Sequence, residues 1–484
     1  MKKQILALEK IASRLDPAPL QREKVRKKVI AYTEDFLQKI EKLKAFQVTT
    51  EKGIGLLDAL ISEEPRSIEH TMSLIRDQVD LPGLNPASGG HLAYIPGGGI
   101  YYASLGDYLA AITNRFAGVF FASPGAVRME NMLLRWMAKI LGYPKTAVGN
   151  LTSGGSVANL IAIVTARDAK GVRARSVEKS VIYLSLQVHH SVEKAIRIAG
   201  LEDAILRYVP LDDRYRMIPV ELEKQIKEDK KKRRRPFLVI ATAGTTDVGA
   251  VDPLIEIGEI AHRHNLWYHI DAAYGGFFVL TREGKRRLRG IETSDSVVID
   301  PHKGLFLPYG LGAVLVKDRT QLMKSHHYSA HYMQDALADE EEPSPAELSP
   351  ELTKHFRGMR LWLPLQLHGV APFRACLQEK LLLAKYFYRE VRKLGFETGP
   401  PPELSVVTYR YVTKQGDPNE FNKRLWELVM EDGRVFISST TINGRFILRF
   451  ACLAFRTHLR TVDLLLRILK EKTTLLERSF GSGY

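Results

Sequence analysis

Cysteine is nearly absent from this 484-residue chain: Cys376 and Cys452 are the only two. Two thiols cannot build a disulfide framework, so the fold must rest on a hydrophobic core, and a reducing cytoplasm is the expected setting. Also lacking is any apolar run near the ~18 residues that a membrane helix needs. The opening MKKQILALEKIASRLD carries basic residues, but Glu9, Lys10 and Arg14 interrupt its apolar positions, which suits an amphipathic helix rather than a signal peptide. No internal repeat is visible. The adjacent histidines His189 and His190 have no further ligands at suitable spacing, so no metal is expected. No nucleic-acid-binding motif accompanies the net charge of +15 or the run Lys230, Lys231, Lys232, Arg233, Arg234, Arg235. That run follows a predicted helix, Pro219 to Asp229, and precedes a predicted strand, Pro236 to Ala241, so it reads most simply as a solvated corner. The basic balance also favours an anionic cofactor and carboxylate substrates.

Apolar residues at 45% and charged residues at 26% are globular proportions, and the length predicts a large α/β domain with smaller appendages. Helices with basic faces are expected over Ile5 to Arg14, Gln21 to Phe46 and Ile54 to Leu60. From about residue 150 to 317, strand, turn and helix alternate, the mark of a mostly parallel sheet covered on both faces. Two of its apolar runs, Leu266 to Ile270 and Ser296 to Ile299, each lead into a carboxylate, Asp271 and Asp300. Ligands in such sheets sit beyond the carboxyl ends of the strands, so Asp271, Ala273, Asp300, His302 and Lys303 are placed to share one pocket rim. A carboxylate and an amine together suit pyridoxal phosphate (PLP): Lys303 would hold the aldehyde as a Schiff base, and Asp271 would pair with the pyridinium nitrogen. The turn Ser153, Gly154, Gly155, Ser156 opens onto a helix whose free N–H groups favour an anion.

The string DAAYGG, followed about thirty residues later by DPHKG, resembles the signature of the group II PLP-dependent amino acid decarboxylases, the aromatic-amino-acid members in particular. The likeness spans roughly residues 85 to 460. It implies PLP fold type I and a homodimer with active sites at the interface, with residues 1–85 as a helical dimerisation segment, 86–364 as the cofactor domain and 365–484 as a small C-terminal α+β domain. A helical layer on its own subunit is the alternative for the first segment. The family pattern puts phosphate binding on Gly155 and Ser156, with Asn159 following in the same helix, ring stacking on His189, and approach to the ring on Thr246. Asp300 departs from it, since many aromatic-type members have asparagine there and a carboxylate repels phosphate.

AYIP resembles the family's side-chain pocket, which implies Tyr94, Ile95 and Gly97 as walls; ordinary packing is the alternative for each tyrosine of that loop. Phe120 and Phe121 fall where relatives face the partner's site. Tyr332, in HYM, matches the tyrosine that protonates the α-carbon, and implies simple decarboxylation rather than aldehyde synthesis; an aromatic loop anchor is the alternative. Asp335 to Pro350, acidic and rich in Pro and Ser, reads as a mobile surface loop near the site, hence a lid. Arg357 and Arg360 are candidates for structural ion pairs or cofactor-site support. The reading is PLP-dependent decarboxylation of an L-amino acid, aromatic by the AYIP loop. Another fold type I activity (aminotransfer, carbon-carbon lysis or decarboxylation-coupled aldehyde synthesis) and a basic nucleic-acid-binding protein are the alternatives.

Overall fold

In the computed structural model, which describes residues 1–50, 52–95, 97–327 and 342–481, the chain opens with two helices that bury none of their residues, α1 (Lys2–Ala12) and α2 (Pro19–Lys39). Helix α2 stops short of the expected Phe46, which lies in a two-residue ladder, β1 (Phe46–Gln47) with β2 (Gly83–Leu84). The expected helix at Ile54 to Leu60 shrinks to a 3-10 turn at Ile54–Leu56. A helix that the pattern did not signal, α3 (Ile68–Leu74), is capped by Ser67, whose hydroxyl accepts from His70 N–H. β3 (His91–Leu92) and α4 (Tyr101–Thr113) follow. Helix α5 (Pro124–Ile140) starts with Pro124 in its first turn, where the missing N–H costs nothing.

A seven-stranded sheet then forms from β4 (Val148–Thr152), β5 (Ser180–Leu184), β6 (Ile205–Tyr208), β7 (Arg235–Thr242), β8 (Trp267–Asp271), β9 (Ser296–Ile299) and β10 (Gly312–Val316). Its order is β4-β10-β9-β8-β7-β5-β6, parallel from β9 to β6, with β10 antiparallel to both β4 and β9. The crossover helices are α6 (Gly155–Ala169), α7 (His190–Ile198), α8 (Pro219–Lys231) and α9 (Leu254–Arg263); α10 (Arg282–Arg287), α11 (Pro301–Gly304) and α12 (Arg319–His326) complete the α/β unit. Side-chain alternation sorts the core. Val181, Tyr183, Val239, Ile270 and Val297 pack with α5, α8 and α9 on one face. Ile182, Leu184, Leu238, Ile240 and Val298 pack with α6 and α7 on the other. Each such aliphatic side chain contributes roughly 1.5–3 kcal/mol on burial.

The basic run is a solvated corner, as expected: Lys230, Lys231, Lys232, Arg233 and Arg235 are exposed and only Arg234 is partly covered. Lys230 and Lys231 belong to α8, Arg234 Nη1 lies 2.8 Å from buried Asp229, and the Arg235 guanidinium donates to the carbonyls of Lys170 and Gly171. Asp252 accepts from Met217 N–H (2.7 Å) and Thr242 N–H (2.8 Å), tying the end of β7 to the loop before α8.

Beyond the sheet, α13 (Arg357–His368) and α14 (Ala371–Lys393) lead to β11 (Phe396–Thr398), β12 (Val406–Tyr411), α15 (Pro418–Asp432), β13 (Phe436–Ile442), β14 (Arg445–Ala451) and α16 (Leu459–Gly481). The second sheet runs β11-β12-β14-β13-β3, so it borrows β3 from far upstream, in parallel with β13. Arg357 pairs with Glu351 (2.9 Å) and Arg360 with Asp107 (2.7 Å), the structural of the two roles considered for them.

The mobile loop expected over Asp335 to Pro350 is corrected at its C-terminal end. Ser344, Pro345, Leu348 and Ser349 are buried; Ala346 N–H donates to Gly118 O, Asn150 donates to Pro345 O at 2.9 Å, and Glu342 pairs with Arg135 at 3.1 Å. Just beyond, Lys354 is wholly enclosed: its Nζ donates to Glu130 Oε1 (2.7 Å), Asn150 Oδ1 (3.0 Å) and Leu151 O (2.9 Å). Glu130 Oε1 also accepts from Leu151 N–H at 3.0 Å, so this pair locks α5 to β4. Removing one member strands a buried charge, so Lys354→Met is expected to cost on the order of 3–5 kcal/mol in urea unfolding, and adding Glu130→Leu should recover part of the loss. A loss under ~1 kcal/mol would mean that the pair contributes nothing net.

Candidate active site

The loops after β4, β5, β7, β8 and β9 meet at one edge of the large sheet around a cavity of about 260 Å³. Gly155, Ser156, His189, Thr246, Asp271, Ala273, Asp300, His302 and Lys303, all selected from the sequence, line it together. Its first wall is the start of α6, where the opening N–H groups have no intrahelical acceptor. That helix can approach only because two positions lack side chains. A Cβ on Gly155 would fall 2.9 Å from Asp300 Oδ2, and one on Gly312 would fall 2.6 Å from Asp300 Oδ1.

Asp300 is buried to 99% and neither oxygen makes a hydrogen bond among the described residues. Its partner is a charge: Lys303 Nζ lies 3.0 Å from Oδ2, outside hydrogen-bond angles, one turn along α11. His302 Nδ1–H donates to Leu311 O at 2.5 Å, with Nε2 3.7 Å from Asp300 Oδ2. Burial holds the His302 imidazole below its ordinary pKa, although Asp300 pulls the other way.

Across the cavity, Asp271 closes β8. Asn159 Nδ2 donates to its Oδ2 (3.0 Å) and Ala273 N–H to its Oδ1 (3.1 Å), donors that suit an ionised carboxylate. Asn159, grouped with the phosphate turn in the sequence, therefore serves the opposite end of the cavity. It also receives His269, whose Nε2 is 2.9 Å from Asn159 Oδ1. Neither His269 nor the Ser191 hydroxyl beside His189 was selected from sequence; the one signal was a lone polar residue inside the apolar run LWYHI. His189 caps α7, its Nδ1 accepting from Ser191 N–H at 3.2 Å, which leaves the proton of the neutral ring on Nε2. Burial lowers its pKa despite Asp271. Thr246 is held from behind by Arg449, whose guanidinium donates to the carbonyls of Thr246 and Asp247.

The residues chosen as substrate walls lie apart from these. Ile95 is buried in the core. Tyr94 is half exposed against Phe436, with centroids 5.6 Å apart. Gly97 touches the site through backbone, since a Cβ there would fall 2.2 Å from His302 O. Tyr332 lies outside the described residues. No group of three or more His, Cys, Asp or Glu side chains that could hold a metal ion occurs among the described residues.

The residues fit PLP. A lysine amine, a doubly hydrogen-bonded carboxylate opposite it and a side-chain-free helix start match an aldehyde, a ring nitrogen and a phosphate. The fold and the site are those of a fold type I PLP enzyme. Residues 50–412 match the pyridoxal-dependent decarboxylase conserved domain. The aromatic-L-amino-acid decarboxylase of Bacillus atrophaeus is 34% identical over 392 residues, 80% of this chain and 81% of that protein. The phenylacetaldehyde synthase of Petunia hybrida is 28% identical over 96% of each chain. The crystal structure of Oryza sativa TDC with PLP and tryptamine superposes with a TM-score of 0.90 at 26% identity, over 96% of this chain and 99% of that one. The chain belongs to the pyridoxal-dependent decarboxylase family: it is a PLP-dependent carboxy-lyase of amino acid metabolism. No helix among the described residues is long and apolar enough to cross a membrane.

Two buried histidines make stability pH-dependent. Burial pushes both His91 and His269 down to about 4. Their folded pKa values lie below the unfolded ~6.5, so the unfolded state binds more protons between these limits. Their contribution is present above pH ~6.5 and lost as pH falls toward 4, by at most on the order of 3 kcal/mol each. Urea midpoints should fall between pH 7 and 5, and His91→Leu should flatten that fall; an unchanged slope would refute the assignment to His91.

Proposed function

We propose that this enzyme removes the α-carboxyl group of an aromatic L-amino acid to give the amine and carbon dioxide, working as a cytoplasmic homodimer. The observation that carries the reading is the convergence of Lys303, Asp271 and the start of α6 on one cavity. Bound PLP supplies an electron sink conjugated to the substrate α-carbon. Lys303 Nζ would be the group that holds the cofactor through its aldehyde and yields that position to the substrate amine. Asp271, supported by Asn159 and Ala273 N–H, accepts a hydrogen bond from a protonated ring nitrogen and so keeps the sink effective. His189 and Ala273 bound the ring, Thr246 approaches it, and Gly155 and Ser156 receive the phosphate at the helix start. Asp300 acts as the counter-ion of Lys303, 3.0 Å away, rather than as a phosphate ligand. Tyr332 returns a proton to the α-carbon, by the family likeness of its HYM context.

The aromatic class draws support from the relatives' names and from the family likeness of the AYIP loop, in which Tyr94, Ile95 and Gly97 would be walls of the side-chain pocket. Dimerisation draws support from α1, where Ile5, Leu8 and Ile11 are all more than half exposed, and from Phe121, 70% exposed. The exposed apolar positions of α1 support the reading of residues 1–85 as the dimerisation segment. The two cysteines, Cys452 buried and Cys376 half-buried, are free, as a reducing cytoplasm allows.

The decisive experiment follows carbon dioxide, amine, aldehyde and peroxide from a panel of L-amino acids, with wild type and Lys303→Ala. Equal carbon dioxide and amine from tyrosine, tryptophan or phenylalanine are expected, falling at least ~10³-fold in the variant, together with loss of the visible band of bound cofactor. Aldehyde and peroxide in place of amine would move the enzyme to the synthase reaction. Sedimentation should give twice the chain mass of 54.6 kDa, and a monomer at micromolar concentration would refute the dimer.

A further inference from the structure

Behind Asp271, four buried side chains form a hydrogen-bond chain whose polarity is fixed by the carboxylate; only Asn159 of the four also lines the cavity. Trp267 Nε1 donates to Ser296 Oγ at 2.8 Å. Ser296 Oγ lies 2.8 Å from His269 Nδ1, His269 Nε2 lies 2.9 Å from Asn159 Oδ1, and Asn159 Nδ2 lies 3.0 Å from Asp271 Oδ2. His269 and Ser296 are completely enclosed and Asn159 is 1% exposed, so water cannot substitute for a missing partner.

The chemistry of the two ends fixes the polarity. Indole offers only a donor, so Ser296 Oγ accepts from it and turns its own O–H to His269 Nδ1. A carboxylate offers only acceptors, so the Asn159 end facing Asp271 is the amide nitrogen, and its oxygen faces His269. Nε2 must therefore carry the proton. Were the Asn159 amide turned over, its oxygen would face the carboxylate and its nitrogen would face an N–H, leaving both ends repelled. An imidazolium would present a second N–H to Ser296 Oγ, which could accept it on its remaining lone pair only by turning its own O–H out of the chain into a fully buried setting.

We propose that His269, locked as the neutral Nε2–H tautomer by Ser296 and Trp267, is a positioning residue that pins the Asn159 amide and thereby holds Asp271 in place for the cofactor's ring nitrogen. The depressed pKa of His269, caused by burial, agrees with a ring that stays neutral through the working pH range. The inference rests on the assignment of Asp271 to that nitrogen.

Two measurements test it. Nitrogen-15 NMR of the full chain labelled at histidine, without and with PLP, should show His269 neutral with the proton on Nε2 from pH 8 to 5; the resonance is assigned by its loss in His269→Gln. A proton on Nδ1, or an imidazolium within that range, would overturn the proposal even if His269→Leu does not fold. The second is the PLP dissociation constant by equilibrium dialysis. His269→Leu, which can neither accept from Ser296 nor donate to Asn159, should weaken binding about tenfold or more, as expected for a misaligned hydrogen bond to a charged group. His269→Gln, with an acceptor for Ser296 and a donor for Asn159, should stay within about threefold. Equal loss in both variants, or none in His269→Leu, would defeat the positioning role. Asp271→Asn separates the two layers: unchanged PLP affinity there removes the Asp271 reading itself, whereas a large loss there beside a wild-type His269→Leu removes the relay alone.

Discussion

Two carboxylates buried at the same edge of one sheet set the terms for the structure around them. Asp271 and Asp300 end adjacent parallel strands, both under 6% exposed, and charge that has left water must be met by donors or by opposite charge. The two are met differently. Asp271 receives hydrogen bonds from Asn159 and Ala273, with His269 and Ser296 behind. Among the described residues Asp300 receives no hydrogen bond; it faces a lysine and the start of a helix that two glycines allow to come close. One carboxylate is thus a firmly held acceptor and the other a loosely paired counter-ion. That division gives the cavity a fixed anionic end and an end where the lysine amine keeps its freedom.

Holding those strand ends in register falls to the rest of the fold. The parallel block from β9 to β6 aligns the loops that carry Asp300, Asp271, Thr246 and His189, and the antiparallel β10 brings Gly312 against Asp300. The Lys354–Glu130 pair locks α5 to β4, the strand that launches the phosphate turn. From the second sheet, Arg449 reaches back to brace Thr246. Gly312, Lys354, Glu130 and Arg449 do not line the cavity, yet each helps to place a segment that does.

Much of this was legible in the residues alone. The order of apolar runs, each closed by a functional residue, dictated a parallel sheet and its active edge, because strands buried on both faces must read as continuous apolar segments. All nine residues selected for the cofactor line one cavity, and Lys303, Asp271 and the Gly155 turn were identifiable because their chemistry is local to short motifs. The tertiary structure alone decided what depends on contacts between distant segments. Asn159 serves Asp271, 112 positions away, because α6 runs back across the sheet face rather than staying with its own turn. His269 becomes visible only when β9 supplies Ser296 and α6 supplies Asn159. The stretch 342–350 looked mobile from composition, yet it is buried, because α5 and β4 offer partners for its backbone and acids that no local pattern reveals. Periodicity and motif spacing carry the fold and the chemistry of the cavity wall; long-range pairing, which settles how buried polar groups are satisfied, belongs to the tertiary structure.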